Sequence, residues 1–156
     1  MTVLLLAAPA SARPQAPAGQ ADQAVSPAEF QRLFDGFALV QAQRFLELSD
    51  DLYSRFLPRF MALQNARRQA LQQHTRVLNV IRKALNDGGS DEQIKDAMKQ
   101  LQDIDERGVT ETKKALDGVD QVLELRQQAK FRIFEEQMER RKLELVTIAR
   151  RSNRGR

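Results

Sequence analysis

A single segment of this chain keeps a helical pattern of apolar residues for about ten turns. Apolar side chains recur every three or four residues from Leu52 to Leu85, between a start signal at Ser49-Asp50-Asp51 and a stop signal at Asn86-Asp87-Gly88-Gly89. A helix over this segment has about 37 residues and is roughly 55 Å long at 1.5 Å per residue. So long an element does not fit inside a compact globule of 156 residues. It must be a rod that packs lengthwise against other helices.

Two further helix starts carry capping boxes. Ser26-Pro27-Ala28-Glu29 opens the first helix, and Ser90-Asp91-Glu92-Gln93 opens the third. The first helix is predicted to carry an aromatic-rich stripe on one side, formed by Phe30, Leu33, Phe34, Phe37, Val40 and Phe45. The third helix is predicted to turn inward Ile94, Met98, Leu101, Ile104, Thr112, Ala115, Val119 and Val122. Gly108 and Gly118 predict bends or fraying within it.

A fourth helix follows Leu123, with apolar residues at helical spacing at Phe131, Phe134, Met138, Leu145 and Ile148. The low content of Gly (7) and Pro (5) agrees with an all-α fold. We therefore expect an elongated antiparallel four-helix hairpin over residues 26–151, with the second helix against the third and the first and fourth laid along them. Because so thin a bundle leaves one apolar face incompletely covered, we predict a homodimer.

The N-terminal segment has the features of an export signal. Residues 1–12 pass from the apolar run Val3-Leu4-Leu5-Leu6 to the small residues Ala10-Ser11-Ala12, as the back half of a secretory signal peptide does. Because no Lys or Arg precedes Arg13, we expect the signal to begin upstream of Met1. The alternative is an Ala-rich start that is never cleaved. The stretch is too short to span a bilayer, so we expect an exported chain that is not membrane-embedded.

Two segments flank the predicted helical domain. Residues 13–25 are rich in Pro, Gly, Ala and Gln, a composition that predicts a disordered tether. Residues 152–156 form a basic tail.

Several functional classes are excluded by what the sequence lacks. It contains no nucleophile elbow, phosphate-binding loop or His-Glu metal motif, and a slender hairpin offers no concave pocket, so we predict neither an enzyme nor a cofactor. The isoelectric point near 9.8 and a basic C-terminal cluster would suit nucleic acid. Aromatic stacking platforms are missing, however, and export separates the chain from nucleic acid. We therefore expect no nucleic-acid partner.

A transition-metal site is also disfavoured within one protomer. His74 is the only histidine and the chain has no cysteine, so carboxylates would have to dominate the ligand set, which suits zinc, nickel or cobalt poorly. We predict no metal ligands and a structural role for His74 on the apolar face of the second helix. A site that pairs His74 from two copies of the chain is the alternative.

Two helix starts resemble a known family motif. Spy/CpxP-type proteins carry a repeated Leu-Thr-x-x-Gln sequence before their helices. Here the first copy keeps Leu48 with Ser49 in place of Thr, and the second keeps Leu123 and Gln127. The segment after the second copy, Gln128 to Arg141, is closer to the family than the motif itself. Over roughly 26–151 the chain therefore resembles the Spy/CpxP family and its zinc-resistance-associated and heavy-metal-sensor relatives.

This resemblance implies a cradle-shaped dimer in the periplasm that holds unfolded or envelope proteins without ATP, or that restrains a membrane sensor in envelope stress. The alternative that it implies is a heavy-metal sensor or metal-responsive regulator acting through a membrane partner. A third hypothesis is the same scaffold serving an unknown partner.

A client-binding surface needs positive charge for the encounter and apolar patches for contact. From Ser49 to Asn86 seven basic residues accompany two acidic ones, whereas from Asp91 to Asp120 nine acidic residues accompany five basic ones. The predicted client-binding residues therefore lie on the second helix: Arg55, Phe56, Arg59, Phe60, Met61, Arg67 and Arg68. The alternative is that the two phenylalanines belong to the core and the arginines form a solvated face.

Overall fold

The computed structural model describes residues 26–154. Within that range the chain forms four helices and no strand: α1 (Pro27–Phe45), α2 (Asp50–Asn86), α3 (Asp91–Asp120) and α4 (Leu125–Arg154). The prediction of an all-α fold is confirmed. The predicted signal peptide and tether lie outside the described residues. The segment predicted as a basic tail is helical as far as Arg154.

Serine caps start three of the helices where the sequence predicts them. The hydroxyls of Ser26, Ser49 and Ser90 each accept a backbone N–H from the third residue of the helix that follows. Glu29 and Gln93 complete the capping boxes by accepting the N–H of their own N-cap serine, at 2.9 and 3.0 Å. The hydrogen bond from the Ser26 backbone holds the pKa of Glu29 below its ordinary value.

The α2–α3 hairpin is the longest structure in the molecule. α2 runs for 37 residues without interruption through Pro58, and α3 runs for 30 residues without interruption through Gly108 and Gly118. Gly88, at the corner between them, has φ 71°, a left-handed conformation that favours glycine. The two helices approach most closely where a Cβ added to Gly108 would lie 2.9 Å from the Cβ of Ala70. Gly108 therefore allows close helix contact.

A cluster of phenylalanines joins the helices at the end of the hairpin opposite the Gly88 corner, hereafter the base. Phe56 and Phe60 of α2 stack at 5.5 Å, and Phe131 of α4 packs edge-on against them at 5.8 and 6.3 Å. Phe134 continues the cluster at 6.3 Å from Phe131. All four rings are buried. The same core also contains Ala38, Ala42, Leu46, Leu48, Leu63, Val119 and Leu123.

α1 buries only one member of its predicted aromatic-rich stripe. Phe34 is buried, but its buried neighbours are Ala38, Ala42 and Leu46. The other members of the predicted stripe are not enclosed: Phe30 is half-buried, and Leu33, Phe37, Val40 and Phe45 are exposed. Alanines let the α1 backbone sit close to the phenylalanine cluster, where larger side chains would overpack it. The prediction for α3 is wrong at one position for a similar reason, because Ala97 is buried and Met98 is exposed.

α1 and α4 cover only part of the hairpin. Their outermost ion pairs with α2 are Asp35–Arg68 at 3.5 Å and Glu135–Arg67 at 2.8 Å. After Arg68, the polar side-chain contacts that α2 makes within the described residues are His74–Asp105, with α3, and Arg82–Asn79, within α2 itself. We call the part of the hairpin from Arg68 to the Gly88 corner, with the part of α3 opposite it, the outer hairpin. The ion pairs therefore fasten α1 and α4 to α2 no further from the base than Arg68.

The contact between Gly108 and Ala70 yields a stability test. Gly108→Ala should lower the free energy of unfolding by about 1–3 kcal/mol, because the added methyl group forces the helix backbones apart. Transferring the methyl group to the other helix, in the double variant Ala70→Gly/Gly108→Ala, should recover most of that loss. Gly118→Ala is the matched control in the same helix. It has room for a methyl group and should gain about 0.5–1 kcal/mol. Urea denaturation followed by circular dichroism measures all three.

Candidate protein-binding surface

An apolar groove runs along one face of the outer hairpin, between α2 and α3. We call it the hairpin groove. Its walls include Leu71, which is 66% exposed, and Val109, which is 71% exposed. Its other lining residues are Arg67, Ala70, His74, Ile104, Asp105, Gly108, Thr112, Lys113 and Leu116. Large apolar side chains that remain this exposed beside one another are typical of a surface that meets another molecule.

The close contact between the helices explains why the groove is lined this way. Ala70 and Gly108 meet at its floor, and Ile104 is buried beside them. The helix axes lie close together here. Leu71 and Val109, the next residues along each helix, therefore lie at the edges of the helix contact. All eleven lining residues belong to α2 or α3, and Arg67, at the inner end of the groove, is the one that pairs with α4 in the described part of the chain. The groove therefore stays open in the protomer.

His74 connects the two walls of the groove. Its Nδ1 lies 2.7 Å from Oδ1 of Asp105, and in residues 26–154 this is the one side-chain hydrogen bond that joins α2 to α3. Both side chains are partly exposed. Elsewhere in residues 26–154, as here, no three His, Cys, Asp or Glu side chains gather as potential ligands around one point. Within the protomer, His74 links the helices across the groove.

The predicted client-binding residues fall into two groups. Phe56 and Phe60 are 0% and 1% exposed, so including them in a client-binding surface was wrong: they form the core that holds α4 against α2. Met61 is 37% exposed. Arg55 is exposed and pairs with Asp51 of its own helix at 2.9 Å, and Arg59 is exposed beside Gly118.

Arg67 and Arg68 serve the assembly of the base. They pair with Glu135 of α4 and Asp35 of α1, respectively, so they fasten those helices to α2. Asp35 is buried and also accepts a 2.7 Å hydrogen bond from Gln31. Sequence analysis missed this aspartate because nothing in its local pattern distinguishes it from a surface acid. Arg67 additionally lines the hairpin groove, so one residue contacts both the base and the groove.

The four motif residues all lie where helices join. Leu48 and Leu123, each directly before a helix, are buried in the core, and Ser49 caps α2. The Gln127 side chain accepts the N–H of Glu124 at 3.2 Å and donates to the carbonyl of Leu46 at 3.4 Å. The motif positions therefore fix the junctions of α1 with α2 and of α3 with α4.

Gln128, which sequence analysis missed, completes the second junction. Its amide donates to the carbonyls of Asp120 and Leu123 at 3.0 and 2.9 Å, which satisfies two acceptors at the end of α3. Arg132 then pairs with the Asp120 carboxylate across the same corner.

No family model, no curated protein and no solved structure matches the chain. None of the helices in residues 26–154 is both long and apolar enough to cross a membrane.

Removing the Gln128 amide should weaken the corner between α3 and α4. Gln128→Ala removes the donor to the Leu123 carbonyl, whereas the Asp120 carbonyl keeps the backbone N–H of Leu123 at 3.2 Å, and we expect a loss of about 1–2 kcal/mol in the free energy of unfolding. The control is Gln137→Ala on the exposed surface of the same helix, which should change stability by no more than about 0.5 kcal/mol. Thermal and urea unfolding measure both variants. If Gln128→Ala and Gln137→Ala lose the same stability, this role of Gln128 is contradicted.

Proposed function

We propose that this chain is an exported, non-enzymatic protein that holds unfolded or partner polypeptides in the hairpin groove without ATP. The observation that carries the proposal is the exposure of Leu71 and Val109 in a groove lined only by residues of α2 and α3. The Spy/CpxP resemblance at Leu48, Ser49, Leu123 and Gln127 supports a periplasmic location and a role in envelope stress.

The chemistry of the groove suits an unfolded polypeptide. It is long, shallow and mostly apolar, so it makes contact with exposed apolar side chains without requiring one defined shape. Arg67 and Lys113 line the groove and contribute positive charge there, against one acidic lining residue, Asp105. Such charge accelerates the encounter with acidic chain segments before apolar contact is made. This combination predicts that the groove binds unfolded polypeptides weakly, rapidly and with little selectivity.

The groove geometry also explains why holding needs no nucleotide. A shallow surface releases its ligand by simple dissociation, since neither α1 nor α4 encloses the groove. Folding of the released client then competes with rebinding, because a folded client has buried its apolar side chains in its own core. A membrane sensor kinase with an apolar, acidic periplasmic segment would be bound by the same chemistry.

An aggregation assay tests the proposal directly. The purified protein should suppress light scattering by a reduced, unfolding client at near-equimolar ratio in the absence of ATP. Failure with several unrelated clients would overturn the proposal. Calorimetry with zinc and nickel tests the metal-responsive alternative, which requires binding tighter than about millimolar.

Variants of the groove identify where the client binds. Leu71→Glu and Val109→Glu should each weaken holding by about tenfold, since each removes apolar contact worth about 1.5 kcal/mol. Ile133→Glu is the control, because it places the same charge at an exposed apolar position on α4 outside the groove. Circular dichroism should show the same helicity in all three. If the control and the groove variants lose activity equally, holding does not depend on this groove.

A further inference from the structure

α1 presents a second apolar surface, separate from the hairpin groove. At 100° per residue, six exposed positions of α1 fall within an arc of about 100°. We call this set the α1 seam: Glu29, Leu33, Gly36, Phe37, Val40 and Arg44. Leu33, Phe37 and Val40 are 68%, 45% and 52% exposed, while the helix buries Ala38 and Ala42 on its other side. The seam thus runs almost the length of α1 and faces away from the core.

The order of residues in the seam is self-complementary in the antiparallel direction. If two α1 helices pack antiparallel about an axis beside Gly36 and Phe37, Leu33 of each lies level with Val40 of the other. In the same register Glu29 of each lies level with Arg44 of the other, and the Phe37 ring lies over Gly36. A twofold axis generates each of these pairs twice, as an isologous interface requires.

The charges at the two ends select that direction. Arg44 makes no ion pair in the described part of the chain, and Glu29 uses only Oε2 in its capping hydrogen bond. Antiparallel packing therefore places a positive side chain of one copy beside a negative side chain of the other at both ends of the interface. Parallel packing in register would instead place Glu29 against Glu29 and Arg44 against Arg44, which like-charge repulsion disfavours.

Gly36 is explained by the same arrangement. A glycine inside a helix weakens it, and within residues 26–154 nothing lies within 4 Å of a Cβ built at Gly36. No contact within the protomer therefore requires a glycine there. At the centre of a helix pair, its bare backbone gives the Phe37 ring of the other copy room to approach.

We propose that the α1 seam binds the α1 seam of a second copy of this chain, antiparallel and about a twofold axis, with Glu29–Arg44 pairs at both ends. The contact involves one short helix from each copy, so the dimer is reversible and concentration-dependent. It leaves both hairpin grooves open. This proposal does not rest on the proposed function, because it uses a different surface.

Charge reversal tests the register. Sedimentation equilibrium should show a monomer–dimer equilibrium for the full chain. Arg44→Glu should weaken dimerisation by about tenfold or more, because it places two carboxylates level at both ends. The double variant Glu29→Arg/Arg44→Glu should restore dimerisation, and Phe37→Ser should weaken it without charge change. Arg76→Glu, at an exposed arginine of α2, should leave it unchanged.

Disulfide trapping gives a second measurement, in a chain that has no cysteine of its own. Gly36→Cys lies beside the proposed axis, so mild oxidation should cross-link two copies rapidly. Arg32→Cys, on the same helix one turn further from the axis, should cross-link far more slowly.

Three results would overturn the proposal. One is a chain that stays monomeric at all accessible concentrations. Another is a dimer that tolerates Arg44→Glu and Phe37→Ser. The third is a dimer lost with Val109→Glu, which would place the interface in the hairpin groove. Loss of client holding in Val109→Glu with the dimer intact would separate the two surfaces.

Discussion

The structure depends on the aromatic cluster at the base of the hairpin. Phe56 and Phe60 belong to α2, and Phe131 and Phe134 belong to α4, so the cluster is what holds the fourth helix against the rod. Burial of each ring contributes about 1.5–3 kcal/mol. Arg67–Glu135 and Arg68–Asp35 are the outermost ion pairs that join α4 and α1 to α2. The position of this cluster decides which part of the hairpin is covered.

The uncovered part follows from that position. An isolated pair of helices covers only the facing stripe of each, here the buried Val77, Ala97 and Ile104 and the half-buried Ala70 and Gly108. The residues next to that stripe remain partly exposed, and in this chain several are apolar. Small side chains on the facing stripe allow the axes of α2 and α3 to approach closely, which leaves Leu71 and Val109 exposed at the edges of the helix contact. The same feature that stabilises the outer hairpin therefore also creates its apolar groove.

The sequence predicts the helix boundaries well because their signals are local. Serine N-caps, capping boxes and the Gly88 corner depend on neighbouring residues only, and each was found at its predicted position. It predicts poorly which apolar face of a helix is buried. α1 offers two apolar faces, one with Ala38 and Ala42 and one with Leu33, Phe37 and Val40, and its sequence does not reveal that its neighbours require the smaller residues. The buried Asp35 and the carbonyl-capping Gln128 were missed because their partners are distant in sequence or fixed by the corner geometry.

The two apolar surfaces differ in a way that bears on their roles. The α1 seam has opposite charges at its two ends and a glycine near its centre, so it is specific for one partner in one direction. The hairpin groove has an apolar floor, an internal His74–Asp105 contact and no comparable charge order, so it distinguishes partners poorly. Specific charge order favours a fixed self-contact, whereas an unpatterned apolar surface favours varied clients. The two proposed roles, holding varied polypeptides and assembling with one partner in one way, require both kinds of surface, and require them on different helices.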